Sequence, residues 1–171
     1  MEFNLNGKIF RSDNIEAIYS ELSAISIPVA TNDTKKQLVE IFNYTNNDKL
    51  RDKLALIFAD LTDRHVIPVL INKINEIKYS KHISTLIYAC SEYDCAEWID
   101  FFVSLVIDLD DSSYLEAISV IEEMNAPIKL SDKVICVKRL MDYLSSIDKE
   151  SEKYKDVEGV LELIENMEIV Y

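Results

Sequence analysis

The sequence of 171 residues contains only two glycines and three prolines. All-β and α/β chains depend on these two residue types for their turns, so such a small number makes both classes improbable. Hydrophobic residues make up 49% of the chain, which is enough to bury a core without disulfides or metal ions. The composition therefore favours a single all-α domain over residues 1–171.

Cysteines and long apolar runs are also scarce. Cys90, Cys95 and Cys136 form an odd set without a CxxC spacing, as is typical of reduced thiols buried as small hydrophobic side chains. The first residues lack the basic start and apolar run of a signal peptide, and no stretch approaches 18 apolar residues. We therefore expect a soluble, cytoplasmic protein.

Catalytic and metal-binding signatures are missing too. The sequence has no GxSxG, Walker A, GxGxxG or HExxH run. The stretch "DLDDSSYLE" resembles a calcium loop, but Ser113 and Ser119 occupy the positions that need glycine and glutamate. Cys90, Cys95 and His82 do not have a known zinc-ligand spacing. We expect no enzyme, metal or cofactor, and the alternative is a small helical enzyme that uses an acidic pocket.

Apolar residues recur three and four positions apart along most of the chain, which predicts about nine helices. Their expected spans are 13–24, 33–45, 48–62, 64–78, 81–93, 95–108, 113–125, 131–146 and 154–168. A capping residue followed three positions later by glutamate supports three of the helix starts. These pairs are Asp13 with Glu16, Asp94 with Glu97, and Ser113 with Glu116.

Two segments show the same order of features. "LIFADLTDRHVIPVLINKI" and "LIYACSEYDCAEWIDFFVSLVI" each have an apolar helix, a turn with aspartate and a second apolar helix. Leu56 corresponds to Leu86 and Leu70 to Phe102, a period of about 30 to 32 residues that is typical of helical-pair solenoids. A third copy, with a longer linker, combines "YLEAISVIEEM" with "SDKVICVKRLMDYL".

Residues 48–146 resemble the HEAT-like repeat family, whose second helix commonly opens with an aspartate turn and a segment like "AVPAL", here Asp63 and "VIPVL". The resemblance implies a right-handed α-solenoid of stacked helical hairpins. Residues 1–47 would then be an N-terminal capping region, in which "FNLNGKIF" predicts a small Asn-Gly hairpin. Residues 147–171 would contain a C-terminal capping helix.

Pro68 interrupts the apolar run of the first segment. Proline lacks an N–H group and clashes with the carbonyl four residues earlier, so it belongs near a helix start. We expect it in or just after the first turn of the second helix, with a 3₁₀ opening or a small kink. The alternative is a helix that begins later, near Val66.

Acidic charge is concentrated in one part of the chain. Residues 82–128 contain ten Asp and Glu and no Lys or Arg, and therefore carry ten of the 13 net negative charges. On helix 95–108, Glu97, Asp100, Ser104 and Asp108 fall within about 80° of one another. We call these four residues the acidic stripe, and Asp110 and Asp111 lie at its rim. The alternative is a solvated face whose acids cap helices and keep the chain soluble.

Such a surface repels phosphate backbones and attracts basic proteins. We therefore predict a non-catalytic protein-binding module whose partner has a basic surface, with no nucleic-acid or membrane partner. A small, acidic, glycine-poor helical-repeat protein is also similar in general character to the immunity proteins that neutralise bacterial polymorphic toxins. A general scaffold or adaptor is the alternative.

Overall fold

The computed structural model describes residues 2–5, 7–11, 14–24, 31–61, 63–78 and 82–170. The described ranges contain nine α-helices and four short strands, which confirms the predicted all-α class. The helices are α1 Ile15–Ala24, α2 Asn32–Tyr44, α3 Asp48–Asp60, α4 Ile67–Glu76, α5 Ser84–Ser91, α6 Ile99–Asp108, α7 Ser113–Glu122, α8 Leu130–Leu144 and α9 Glu152–Asn166. The chain divides into two compact units, residues 1–89 and 90–171.

The first unit opens with the predicted hairpin. Strands β1 Glu2–Leu5 and β2 Lys8–Arg11 pair antiparallel, with Leu5 opposite Lys8. Gly7 has φ 80°, a left-handed conformation that glycine adopts without steric cost, and its N–H donates to Asn4 Oδ1 at 3.0 Å. Leu5 is fully buried, and β1 packs against α2.

Aromatic and aliphatic side chains from α2, α3 and α4 form the core of this unit. Phe42 of α2 meets Phe58 of α3 edge to face, with the ring centroids 5.1 Å apart. Full burial of a side chain of this size is worth roughly 1.5–3 kcal/mol. Other fully buried residues are Ile18, Leu38, Ile41, Leu54, Leu70 and Ile74.

Pro68 lies in the first turn of α4, as predicted. A 3₁₀ turn, Arg64–Val66, precedes α4, and the Asp63 side chain caps it by accepting from the His65 N–H. The second segment has the same local order, because a 3₁₀ turn, Ala96–Trp98, precedes α6. The opening of α6 contains no proline. The helix, turn and second helix predicted from the aligned segments are therefore present in each of them, and in both the turn includes a 3₁₀ turn.

The predicted capping pairs are observed only in part. Asp13 lies outside the described residues, and Asn14 Oδ1 accepts from the Ala17 N–H at the start of α1. Asp94 Oδ1 accepts from the Ala96 N–H, which makes an Asp turn before the 3₁₀ turn. The capping role of Ser113 is wrong: this residue is the first of α7, it is buried, and its own N–H donates to Asp111 Oδ1 at 3.0 Å.

The second unit consists of two helical hairpins. The α6 helix packs closely against α7, α8 packs closely against α9, and α6 also lies against α8. The third copy predicted from the sequence instead pairs α7 with α8. Strands β3 Ile128–Lys129 and β4 Ile169–Val170, which the sequence analysis did not predict, pair in parallel beside the start of α8.

Lys153 of α9 joins the two hairpins. Its Nζ donates to the carbonyls of Leu109 at 2.6 Å and Ile107 at 3.3 Å, at the C-terminal end of α6. The same ammonium lies 5.1 Å from the ring centroid of Tyr114 and 5.3 Å from that of Tyr143. A cation there satisfies carbonyls that the helix leaves unpaired, and the negative end of the helix dipole stabilises its charge.

Tyr114 makes a second link between the hairpins. Its hydroxyl donates to Asp156 Oδ2 at 2.8 Å. Burial, followed by the hydrogen bond to Asp156, raises the pKa of Tyr114 to about 12. The phenol therefore stays protonated and keeps donating throughout the physiological range.

All three cysteines are free and buried, as predicted. The hydrogen bond with Cys95 and burial raise the pKa of Cys90, and burial raises that of Cys136 to about 12. In the described part of the chain, no helix has both the length and the apolar character needed to span a membrane.

Candidate protein-binding surface

The α6 helix has the two faces that its periodicity predicts. Its buried side chains are Ile99, Phe102, Val103, Leu105 and Val106. Trp98, Phe101 and Ile107 are half-buried and border this face. The polar residues lie opposite, so the acidic stripe is the part of α6 that contacts solvent.

Five of the six predicted site residues are exposed and the sixth is half-buried. Glu97, Asp100 and Asp108 are exposed on the acidic stripe, and Asp110 and Asp111 are exposed in the turn after it. Ser104 is half-buried, and its hydroxyl donates to the Phe101 carbonyl at 2.6 Å. Ser104 thus satisfies a backbone group of its own helix.

Two carboxylates of this surface form ion pairs with basic residues from distant positions in the sequence. Arg139 of α8 contacts Asp100 Oδ1 at 2.5 Å, and Lys153 of α9 lies 3.6 Å from Asp110 Oδ1. The charge count by segment did not reveal these pairs, because both cations come from beyond residue 128. The surface is therefore less uniformly negative than the segment count implies.

A second stripe, mostly exposed and not predicted from the sequence, runs along α8. Leu130, Val134, Val137 and Met141 recur at spacings of four, three and four, and therefore share one helix face. Val134 is 60% exposed and Met141 is 55% exposed. We call these four residues the α8 apolar stripe. Together with Lys133, Lys138 and Asp142 they line a shallow depression of about 480 Å³.

The α8 apolar stripe is not the core-facing side of the helix. Cys136, Leu140 and Leu144 are the buried residues of α8, and they define a different face. The helix thus has more apolar residues than one buried face requires. That surplus is visible in the sequence and is the signal that could have identified the stripe.

The two stripes lie on neighbouring helices of one unit. At 100° per residue, Arg139 lies on the side of α8 nearly opposite the apolar stripe, where it binds Asp100 of α6. Exposed Lys138, Asp142 and Ile135 lie between the two positions on the outer side of α8. Ser146, which follows α8, is also exposed. In the first unit, the positions of the first repeat segment that correspond to the acidic stripe are exposed as well: His65, Asn72 and Glu76.

Titratable groups with shifted pKa values lie mainly elsewhere. In the first unit, burial raises the pKa of Asp52, whose buried Oδ1 has no hydrogen-bond partner among the described residues. Nearby, Asp48 contacts Arg51 and lies 3.3 Å from His82 Nε2. In contrast, hydrogen bonds from Lys35 and His65 lower the pKa of Asp63 to about 2.

No group of three or more His, Cys, Asp or Glu residues suited to a metal ion is found among the described residues. Comparison of the chain with protein-family models, with curated proteins and with solved structures finds no match.

Proposed function

We propose that the chain is a non-catalytic, HEAT-like protein-binding module that docks a basic protein through its second unit. The observation that carries this proposal is the α8 apolar stripe, which is mostly exposed and lies on the side of α8 away from Arg139 and the acidic stripe. Exposed apolar patches bordered by polar residues are typical of protein interfaces. A partner that fits places an apolar patch on the α8 apolar stripe and lysine or arginine beyond α8, at the acidic stripe, so that apolar burial gives affinity and charge directs the encounter.

Within this class, the proposal favours an immunity protein that blocks a basic toxin domain sterically. Exposed acids at the rim, such as Asp110 and Asp111, would accelerate association with a basic surface. The exposed acids support this candidate over an adaptor for neutral peptides. The cytoplasm is the compartment proposed for the complex, where the three free thiols stay reduced.

The experiment is capture of the partner on the tagged chain, identification by mass spectrometry, and direct measurement of binding with purified proteins. Val134→Ser with Met141→Ser removes the apolar contact, and each position is expected to cost about 1 kcal/mol or more. Leu115→Ser is the matched control, because Leu115 is 45% exposed on α7, away from the stripe. Equal affinity of the stripe and control variants would refute the assignment.

Charge is tested separately. Asp100→Lys with Asp108→Lys is expected to weaken binding and to reduce its dependence on salt, while the helical circular dichroism signal is retained. Glu158→Lys with Glu162→Lys, on exposed positions of α9, makes the same charge change elsewhere. Because Asp100 binds Arg139, Asp100→Asn is included to separate the loss of this ion pair from the reversal of charge. One partner recovered repeatedly supports an immunity protein, whereas several unrelated partners support a scaffold.

A further inference from the structure

The first unit contains a pocket between α2 and the start of α4, with a volume of about 500 Å³. This volume lies within the range of small-molecule sites. One wall is a single face of α2, with residues at spacings of three, one and three: Asn32, Lys35, Lys36 and Val39. The other wall comes from the 3₁₀ turn and the first turn of α4: Asp63, His65, Val66 and Val69.

The polar groups of the pocket leave one cation unbalanced. Asp63 Oδ2 accepts from Lys35 Nζ at 2.9 Å, so these two charges compensate each other. Lys36 is exposed and forms no ion pair with any described residue. Two lysines against one aspartate give a local charge of +1 before His65 is counted. A positive pocket stands out in a chain with a net charge of −13.

His65 is held at the rim of the same pocket. Its Nδ1 lies 2.9 Å from Asp63 Oδ1, and its side chain is 98% exposed. With Nδ1 engaged by the carboxylate, the other ring nitrogen, Nε2, is the one available to a ligand.

Apart from Asn32, the rest of the described lining is apolar. Val66 is 3% exposed and belongs to the core, while Val39 and Val69 are half-buried beside it. A bare inorganic anion would leave this surface uncovered, whereas a molecule with an anionic head and a short hydrocarbon body would cover it. The geometry points to a small organic monocarboxylate, with its head at Lys36 and its body on the three valines. This site is separate from the surface proposed to bind protein.

Hexanoate is a suitable probe, and valine methyl spectra of the full chain locate where it binds. We expect saturable shifts at Val39, Val66 and Val69, and affinity at least tenfold lower for hexanol, which has the same chain length but no charge. Lys36→Gln is expected to weaken hexanoate binding at least tenfold. Lys49→Gln, an exposed lysine of α3 outside the pocket, removes the same charge and should have no effect.

Three results would overturn the site: shifts that do not saturate, equal affinity for hexanoate and hexanol, or shifts confined to the valines of α8. A Lys36→Gln variant that binds hexanoate as tightly as the unaltered chain would also overturn it. Binding of the protein partner is measured on second-unit variants, so failure of one proposal leaves the other standing.

Discussion

Lys153→Met should destabilise the second unit, because this lysine holds two hairpins together. The substitution removes charged hydrogen bonds to the Leu109 and Ile107 carbonyls. Hydrogen bonds of a charged group are worth roughly 1.5–3 kcal/mol, and a cation at a helix C-terminus adds about 0.3–1 kcal/mol. The methionine side chain keeps the apolar contact with the two tyrosines, so we expect a net loss of about 3 kcal/mol.

Urea unfolding followed by Trp98 fluorescence measures this loss. Trp98 is the only tryptophan, and it lies in the second unit, in the 3₁₀ turn before α6. With an m-value of about 2 kcal/mol/M, the expected loss lowers the midpoint by about 1.5 M. Lys155→Met is the matched control, because Lys155 is exposed on the same helix. Lys153→Arg, which retains the charge, should lie between the two.

Midpoints of Lys153→Met and Lys155→Met that both equal the midpoint of the unaltered chain would refute the reasoning. They would mean that water satisfies the α6 carbonyls as well as the ammonium does. A lower midpoint for both variants by the same amount would instead assign the effect to net charge.

Three further predictions concern other parts of the chain. Gly159→Ala in α9, where an added Cβ meets nothing within 4 Å, should raise the free energy of unfolding by about 0.5–1 kcal/mol, whereas Gly7→Ala should lower it by about 1–2 kcal/mol because φ is positive there. Chemical denaturation of both variants checks the opposite signs. Asp63 has its pKa lowered to about 2, below an unfolded value of about 3.9, so its stabilisation, less than about 3 kcal/mol because solvent screens the charges, is present above pH 5 and lost as the pH falls towards 2. Asp63→Asn should flatten the pH dependence of the unfolding midpoint in that range, and an unchanged slope would contradict this. Cys136 and Cys90, with raised pKa values, should react with Ellman's reagent only after unfolding, and fast reaction of the native chain would be inconsistent with their burial.

Local features of the fold could be read from the sequence because they depend on nearby residues. Helix periodicity places α6 and its exposed face correctly, and Pro68 identifies the opening of α4. The Asn-Gly pair identifies the hairpin. In each case a residue's own backbone preference, or its spacing from neighbours within two turns, determines the structure.

Features that join distant residues could not be predicted in this way. Arg139 and Asp100 are 39 positions apart, and the pairing of β3 with β4 joins residues about 40 apart over only two residues each. No spacing rule connects such residues, because the helices between them set the distance. The charge of the acidic stripe was overestimated for this reason, although the exposure of its carboxylates was predicted correctly.

Some basic side chains donate to backbone carbonyls instead of extending into solvent, and this determines which reagents can label the surface. Lys153 and Lys133 hold backbone carbonyls, and Lys153 keeps only 16% of its side chain exposed. In the second unit, amine-reactive cross-linkers will therefore report mainly on Lys129, Lys138, Lys149 and Lys155 and will leave the α6 face unlabelled. Carbodiimide chemistry suits that face better, because it activates carboxylates such as Asp110 and Asp111 and couples them without a spacer to the lysines of a bound protein.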